Sequence, residues 1–361
     1  MEALCHRLLL SRSFTPLHEL GSLMATRSLS SETVPWYRTN LNSKKTEKHA
    51  RFGVQESHSS ILKDPGVVNV AKLPKEKLCK LLSQNIVYMK GPLVGINKLQ
   101  GLSVSGNQDE FSLSSLLPEL QRLLGISELH IVKAATKESS GLVLLSTCYA
   151  TSKHFGEFYS KCRKSQRPVV NYCAVIVGVP SPSEGDISVA LKIETIGDHK
   201  LVVPVPHASK GSLERKEAQK TVTRYQVLDS ADGCALVQLQ PMSAFQSQLL
   251  VHMAWKLCKV LGDHTYSARV GKVLGEPIHV PMDIALPQPQ MLEERMLRRM
   301  HLVPQQVHRV PLHLHLHQLL IPDYPEGKGT QIVTAPPPPF FIRTVQHLGL
   351  TMKEPSVLGN D

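Results

Sequence analysis

The chain has 361 residues, 42% hydrophobic and 20% charged, a composition typical of a globular protein with one large domain or two small ones. No apolar run approaches the roughly 18 residues that a membrane-spanning helix needs, so no transmembrane segment is predicted. The 41 Lys and Arg residues outnumber the 30 Asp and Glu residues and give a net charge of +11, which favours a polyanionic partner without choosing between nucleic acid, anionic lipid and a basic compartment.

The first 50 or so residues differ in composition from the rest of the chain. They are rich in Ser, Leu and Arg and poor in acidic residues, and the apolar run Leu8–Leu10 is too short for a secretory signal. We predict a mitochondrial transit peptide and disordered leader over residues 1–50, with the mitochondrial matrix as the destination. The alternative is a disordered, basic tail. Residues 351–361 are predicted to form a flexible tail.

Apolar periodicity predicts helices at residues 73–82, 113–124, 151–164, 249–260 and 291–300. Runs of β-branched or alternating apolar residues predict strands at 94–102, 129–132, 142–145, 169–179, 187–193 and 312–321, with two more inside 221–239. Ser112 is the predicted N-cap of the second helix and Gly125 its stop. Because helices and strands interleave without strict βαβ alternation, we predict an α+β fold with a central mixed or antiparallel sheet flanked by helices.

Residues 312–317 read LHLHLH, the most regular local pattern in the chain. Alternation predicts a strand whose leucines face the core and whose histidines face outward at a sheet edge. A single metal ion is not expected to bind all three histidines, because His313 and His317 would lie about 13 Å apart along the strand.

Signals for cofactor-dependent enzyme classes are missing from the sequence. There is no GxxxxGK[ST], GxGxxG, HExxH or GxSxG motif. The seven cysteines are dispersed, odd in number and contain no CxxC pair, which argues against a disulfide framework or a zinc module and indicates a reducing compartment. We therefore predict neither a metal nor a cofactor.

Four short segments follow one another along the chain: NKLQGL at 97–102, LHIVKAATKESSG at 129–141, SAFQSQLLVH at 243–252 and LGDHTY at 261–266. They resemble the motifs N-K-P-x-G-L, L-x-x-V-H-R-L-D-x-x-T-S-G, T-G-R-x-H-Q-I-R-x-H and L-G-D-x-x-Y of the RluA-type RNA pseudouridine synthases. Tyr172, with Ala174 and Gly178, resembles that family's K-x-Y-x-A strand. The resemblance runs from about residue 86 to residue 350.

This resemblance implies a pseudouridine synthase catalytic domain over residues 65–350, with a basic cleft and no cofactor. It implies isomerisation of uridine to pseudouridine in RNA, which with the predicted leader would be mitochondrial messenger or ribosomal RNA, in support of mitochondrial translation. Other mitochondrial RNA-processing or ribosome-assembly proteins are further expected partners. The family positions implied to bind RNA or lie beside it are Asn97, Lys98, Lys133, Lys137 and Gln248, and Tyr172 would face the extruded base.

Two departures from the family motifs bear on catalysis. In the family, the Asp of H-R-L-D attacks the extruded uridine or its sugar, and an Arg of H-Q-I-R pairs with that Asp. Here Thr136 stands at the Asp position and Leu250 at the Arg position. Loss of both partners is physically coherent, because losing one alone would leave an uncompensated buried charge at a cost of about 3–5 kcal/mol. Glu138 could replace the acid only if the local turn bends it into the cleft.

The sequence therefore supports two hypotheses from different classes. The first is an RNA-modifying isomerase of mitochondria. The second is a catalytically silent relative that binds structured RNA as a chaperone or assembly factor, which the replacement of the Asp by Thr136 favours. A basic protein at a membrane surface is a remote third interpretation.

Overall fold

The computed structural model describes residues 60–64, 66–106, 111–324 and 329–352. The predicted leader and all but the first two residues of the predicted tail lie outside these ranges. The helices are α1 Lys75–Gln84, α2 Leu113–Leu124, α3 Tyr149–Lys164, α4 Lys210–Glu214, α5 Gln248–Trp255, α6 Glu294–Arg299 and α7 Pro339–His347. No helix in these ranges is long and apolar enough to cross a membrane.

Fourteen strands are present in the described part of the chain. They are β1 Ile86–Lys90, β2 Leu93–Lys98, β3 His130–Ala134, β4 Ser140–Ser146, β5 Val170–Val177, β6 Glu184–Ile196, β7 His199–Val205, β8 Gln219–Ala231, β9 Cys234–Pro241, β10 Lys259–Val260, β11 Val270–Val273, β12 Glu276–His279, β13 Leu314–Pro322 and β14 Thr330–Thr334. Twelve form one sheet in the order β1-β2-β4-β13-β5-β9-β8-β6-β7, with β3 on β4, β14 on β13 and β10 on β5. The strands β11 and β12 form a separate hairpin.

The sheet is mixed, because β13 runs parallel to β4 whereas its other neighbours are antiparallel. Helices cover the sheet on its two faces. One apolar cluster packs α3 and α5 against the centre, a second packs α6 and α7 against the opposite face, and a third joins α1 and α2 to the β1–β2–β4 end. The α+β prediction with a mixed sheet flanked by helices is confirmed.

The boundaries of α2 match the sequence prediction. The Ser112 side chain accepts a hydrogen bond from the Ser115 backbone N–H, and the Ser112 backbone N–H donates one to the Ser115 side chain, which forms a capping box. Gly125 ends the helix in the left-handed conformation at φ 67°. The predicted helix at 249–260 is shorter in the structure. It ends at Trp255, and residues 259–260 form β10 beside β5.

The prediction for the LHLHLH segment was wrong in its placement of the histidines. The strand β13 lies between β4 and β5 in the middle of the sheet, and His313, His315 and His317 are buried on the face opposite the leucines. A chain segment before α7 covers that face, where His315 and His317 hydrogen-bond the Ala335 carbonyl at 3.0 and 2.7 Å. His313 pairs with Thr344 at 2.8 Å. The alternation of leucine and histidine cannot show that another part of the chain also buries the histidine face of the strand.

Candidate active site

A cavity of about 380 Å³ opens where β3, the start of β5 and the start of α5 meet. Three of the sequence motifs converge on it, although they are separated by up to a hundred residues in the chain. Thr136, Glu138, Tyr172, Gln248 and Leu250 all line this one cavity. These positions, which the resemblance implied to form one site, therefore lie together, and the cations Lys133, Arg163 and Arg167 give the cavity a basic character.

The segment between β3 and β4 forms a tight turn that carries both candidate catalytic positions. The Thr136 and Ser139 hydroxyl oxygens lie 3.1 Å apart, and Ser139 Oγ also lies 3.3 Å from the Thr136 carbonyl oxygen, to which it can donate. The Thr136 hydroxyl thus has a partner within the turn rather than a base that would activate it. The same turn places Glu138 on the cavity wall, which meets the geometric condition set for a substitute acid.

Part of the cavity wall is aromatic and aliphatic. Tyr172 and Leu250 are only 6% exposed, and Leu314 is buried beside them. Burial raises the pKa of the Tyr172 hydroxyl, and the nearby charge of Glu138 raises this pKa further, so the phenol is neutral at physiological pH. The wall can therefore hold a planar base by stacking and apolar contact, but it offers no guanidinium at the position of Leu250.

Gln248 is held inside a hydrogen-bond network rather than free for RNA. Its Nε2 donates to the Val222 carbonyl at 3.0 Å and to Thr223 Oγ1 at 2.8 Å, while Ser243 Oγ donates to its Oε1 at 3.0 Å. The network continues into His252, whose Nδ1 lies 2.9 Å from Thr223 Oγ1. Gln248 therefore fixes the start of α5 against β8.

His252 completes this network from the next turn of α5. Its Nε2 lies 2.9 Å from Thr221 Oγ1, which itself donates to the Val189 carbonyl at 2.6 Å, so Nε2 carries the ring proton. Burial lowers the pKa of His252 to about 4, and the ring is neutral at physiological pH. The two threonines and the histidine thus satisfy one another's hydrogen-bonding groups beneath the cavity.

Lys98 was expected to contact RNA, but the structure places it in the interior with only 1% of its surface exposed. Its Nζ donates to the carbonyls of Leu102 at 3.0 Å and Ser139 at 2.8 Å, and to that of Leu99 at 3.1 Å. Burial lowers the pKa of this lysine to about 7. These hydrogen bonds tie the 99–102 loop to the turn that carries Glu138.

The remaining candidates differ in their relation to the cavity. Lys133 lines it, with its ammonium 5.5 Å from the centre of the Tyr159 ring. Asn97 lies outside the cavity lining, and its Nδ2 donates to the Pro336 carbonyl at 2.8 Å. Lys137 is exposed on the turn and also lies outside the cavity lining. Within the ranges that the structure describes, no three His, Cys, Asp or Glu side chains are grouped so that they could hold a metal ion.

Sequence reasoning missed Arg163 and Arg167, which line the cavity from the end of α3 and the loop before β5. The available signal was the basic run between residues 161 and 167, which reads KCRKSQR. Nothing in that run shows which of its cations turns towards the cleft, because the choice depends on how α3 packs across β3 and β4.

The LGDHTY motif lies outside the cavity lining and has a structural role. Gly262 adopts φ +83°, where an added Cβ would lie 2.6 Å from the Pro311 carbonyl carbon. Asp263 accepts hydrogen bonds from the backbone N–H groups of Thr265 and Tyr266 at 2.9 and 3.0 Å. Burial raises the pKa of Asp263 to about 6 despite these bonds. The motif thus shapes the turn between β10 and the following 3₁₀ segment.

Comparison with known proteins agrees with the fold and the site. The family profile described as RNA pseudouridylate synthase matches residues 92–255. The chain is 42% identical to the mitochondrial mRNA pseudouridine synthase Rpusd3 of Mus musculus over 92% of this chain and 100% of that protein. It is 48% identical to the protein of the same description from Homo sapiens, over 78% of this chain and 80% of the relative.

A solved structure supports the same assignment. The structure described as human RNA pseudouridylate synthase domain containing 4 superposes with a TM-score of 0.61 at 28% sequence identity, and the match covers 78% of this chain and 98% of that one. The chain belongs to the RNA pseudouridylate synthase family. Its relatives at this level of identity are named as mitochondrial proteins.

Proposed function

We propose that this protein isomerises uridine to pseudouridine in mitochondrial messenger RNA, with Glu138 as the carboxylate of the reaction. The observation that carries the proposal is that Glu138 lines the same cavity as Tyr172, so a carboxylate faces the site although Thr136 does not provide one. Among the described residues that line this cavity, Glu138 is the one acidic side chain.

The reaction needs a carboxylate but no cofactor. The C1′–N1 glycosidic bond breaks, the base turns, and a C1′–C5 bond forms, while the proton on C5 is released and N1 gains one. Atoms and electrons balance without an oxidant or a metal. The carboxylate of Glu138 would take part in detaching the base, and Tyr172 would hold the base during its turn within the apolar wall.

The compartment and the substrate are proposed from the named relatives. Two of these relatives are described as mitochondrial mRNA pseudouridine synthases. The matrix as the site of action, the transit peptide over residues 1–50 and a role in mitochondrial translation remain predictions, as does the extent of the catalytic domain at 65–350. A tagged protein without residues 1–30 should stay in the cytosol, and its continued import would contradict the leader prediction.

A catalytically silent RNA-binding protein is the second candidate function. It is favoured by the Thr136 hydroxyl, which is engaged with Ser139, and by Leu250, which leaves the cavity without a cation at that position. In that case the cavity would bind an extruded base and release it unchanged, and the protein would act on RNA structure or assembly.

The experiment compares Glu138→Gln with the wild type and with Glu157→Gln, which removes an exposed carboxylate of α3 outside the cavity lining. Turnover is followed as tritium released from RNA labelled at uracil C5, because that hydrogen leaves when the C1′–C5 bond forms. We expect Glu138→Gln to lower the rate by about 10³-fold while RNA affinity is unchanged, and Glu157→Gln to have no effect.

The other outcomes separate the two candidates. Wild-type protein that binds RNA without releasing tritium would identify the silent relative. Turnover that persists in Glu138→Gln would reject Glu138 as the carboxylate while leaving the isomerase function in place.

A further inference from the structure

Three cationic side chains line one side of the cavity and come from three different elements. Lys133 is on β3, Arg163 is in the last turn of α3, and Arg167 precedes β5. The Lys133 ammonium lies over the ring of Tyr159, whose hydroxyl donates to the Leu320 carbonyl at 3.2 Å and so holds the ring in place. The scaffold thus holds Lys133 on the sheet, while Arg163 and Arg167 are exposed at the end of α3 and in the loop before β5.

None of these three cations has a carboxylate within 4.0 Å among the residues that the structure describes. Elsewhere in the fold, exposed arginines such as Arg122 and Arg215 pair with nearby glutamates at 2.6 and 2.7 Å. Burial lowers the pKa of Lys133, and the positive charge of Arg163 lowers this pKa further. Like charges gathered beside a cavity without a counterion are stabilised when an anion binds there.

We propose that Lys133, Arg163 and Arg167 form a clamp for the backbone phosphates that flank the nucleotide whose base enters the cavity. This inference rests on the proposed function, because it names how the RNA is held at that same site. The two guanidinium groups match the geometry of phosphate oxygens, and the lysine adds a point charge beside them. The wall formed by Tyr172 and Leu250 would then receive the uncharged base.

The clamp also explains how the site can work without a cation at Leu250. Its positive charge lies on the β3 and α3 side of the cavity, whereas Leu250 is on α5. Anchoring of the phosphates would fix the nucleotide from outside the base pocket. The carboxylate of Glu138 would then meet the sugar with no guanidinium at position 250.

The test measures the affinity of each variant for a fluorescein-labelled, uridine-containing RNA of about 12 nucleotides by anisotropy, between about 50 and 200 mM salt. The variants are Lys133→Gln, Arg163→Gln and Arg167→Gln. The controls are Lys161→Gln and Lys164→Gln, which remove exposed charges from the same turn of α3 as Arg163 but lie outside the cavity lining.

We expect each clamp variant to lose about tenfold in affinity and to reduce the log–log salt slope by about 0.7, the value for one phosphate contact on a single strand. The controls should lose no more than about twofold. Equal losses in clamp and control variants would overturn the clamp and indicate a diffuse basic surface. Since Arg163 and Arg167 are exposed, both variants should fold, and urea unfolding would verify it.

Two further arms separate this inference from other outcomes. Unlabelled uridine 5′-monophosphate should compete only weakly, because it offers one terminal phosphate where RNA offers flanking diesters. Strong competition by the mononucleotide would overturn the RNA clamp in favour of a free-nucleotide site. If the wild type binds RNA through these residues but releases no tritium, the proposed isomerase function fails and the clamp stands. If turnover is normal and the clamp variants bind RNA like the controls, the clamp fails and the proposed isomerase function stands.

Discussion

The two sides of α5 have diverged to different degrees from the family motif. The side facing β8 keeps Gln248 and His252 in a closed network with Thr221 and Thr223. The side facing the cavity carries Leu250 where the motif has an arginine. Gln248 and His252 are held by hydrogen bonds that substitution would leave unsatisfied, whereas Leu250 packs by apolar contact and lines the cavity.

The same contrast holds around the turn at residues 136–139. Lys98 and Ser139, which fix the turn from the inside, match or approach the family pattern, while Thr136 on its outer side does not. Retained motif residues such as Lys98 and Ser139 therefore indicate a retained scaffold. They are no evidence by themselves for retained catalysis, which depends on the residues that face the cavity.

The largest effect is expected from substituting a scaffold residue that lies outside the cavity lining, which tests the contrast between scaffold and cavity residues. Gly262→Ala should prevent stable folding, with a loss of at least about 5 kcal/mol, because the new Cβ would lie 2.9 Å from Leu312 Cα and closer still to Pro311 while φ stays at +83°. Gly91→Ala is the control, since Gly91 also has positive φ but nothing lies within 4 Å of its added Cβ. Its cost should be about 1 kcal/mol. Urea unfolding of both variants gives the comparison, and a stable Gly262→Ala protein would contradict it.

Acid should weaken the scaffold through its buried histidines. Burial lowers the pKa of His252 and His313 to about 4 and that of His315 to about 3, so between about pH 6.5 and 4 the unfolded chain binds protons that the folded chain does not. Asp263, whose pKa is raised to about 6, opposes this loss by binding its proton in the folded state. The free energy of unfolding should fall by about 4 to 5 kcal/mol between pH 7.5 and 5.

This pH dependence is measured by urea unfolding at each pH, with His252→Leu as the comparison. The variant should be less stable at pH 7.5, because two threonine hydroxyls lose their hydrogen-bond partner. Its unfolding should take up about one proton fewer between pH 6.5 and 4, so its free energy of unfolding should depend less steeply on pH. If the substitution leaves the pH dependence of stability unchanged, protonation of His252 does not contribute to the loss of stability in acid.

The smallest expected effect tests the cavity side. In a Glu138→Gln background, Thr136→Asp alone should restore little turnover, because Leu250 provides no cationic partner. Thr136→Asp with Leu250→Arg should rebuild the pair of the family motif and restore more turnover than the two single changes together. The double-mutant cycle should give a coupling of about 0.5–3 kcal/mol in transition-state free energy. Additive effects would mean that the two side chains do not meet across the cavity.

The local elements were accessible from the sequence because each depends on neighbours in the chain. The boundaries of α2 follow from leucine spacing between a serine cap and a terminal glycine, and the core strands β4 and β5 follow from their apolar runs. The strands β1, β7, β11, β12 and β14 were missed, because their residues are partly or wholly exposed and leave no clear apolar period. The parallel pairing of β13 with β4 joins residues about 175 positions apart and has no local signal.

The sequence by itself determined the family, the order of the motifs and the loss of the Asp and Arg at Thr136 and Leu250, because these are properties of residue identity and spacing. Only the tertiary structure decided which side chains share a cavity and which are buried. It placed Glu138 on the cavity wall, added Arg163 and Arg167, and buried Lys98. The reason is physical: the direction of a side chain depends on how elements distant in the chain pack together, and burial depends on what covers each face of the sheet.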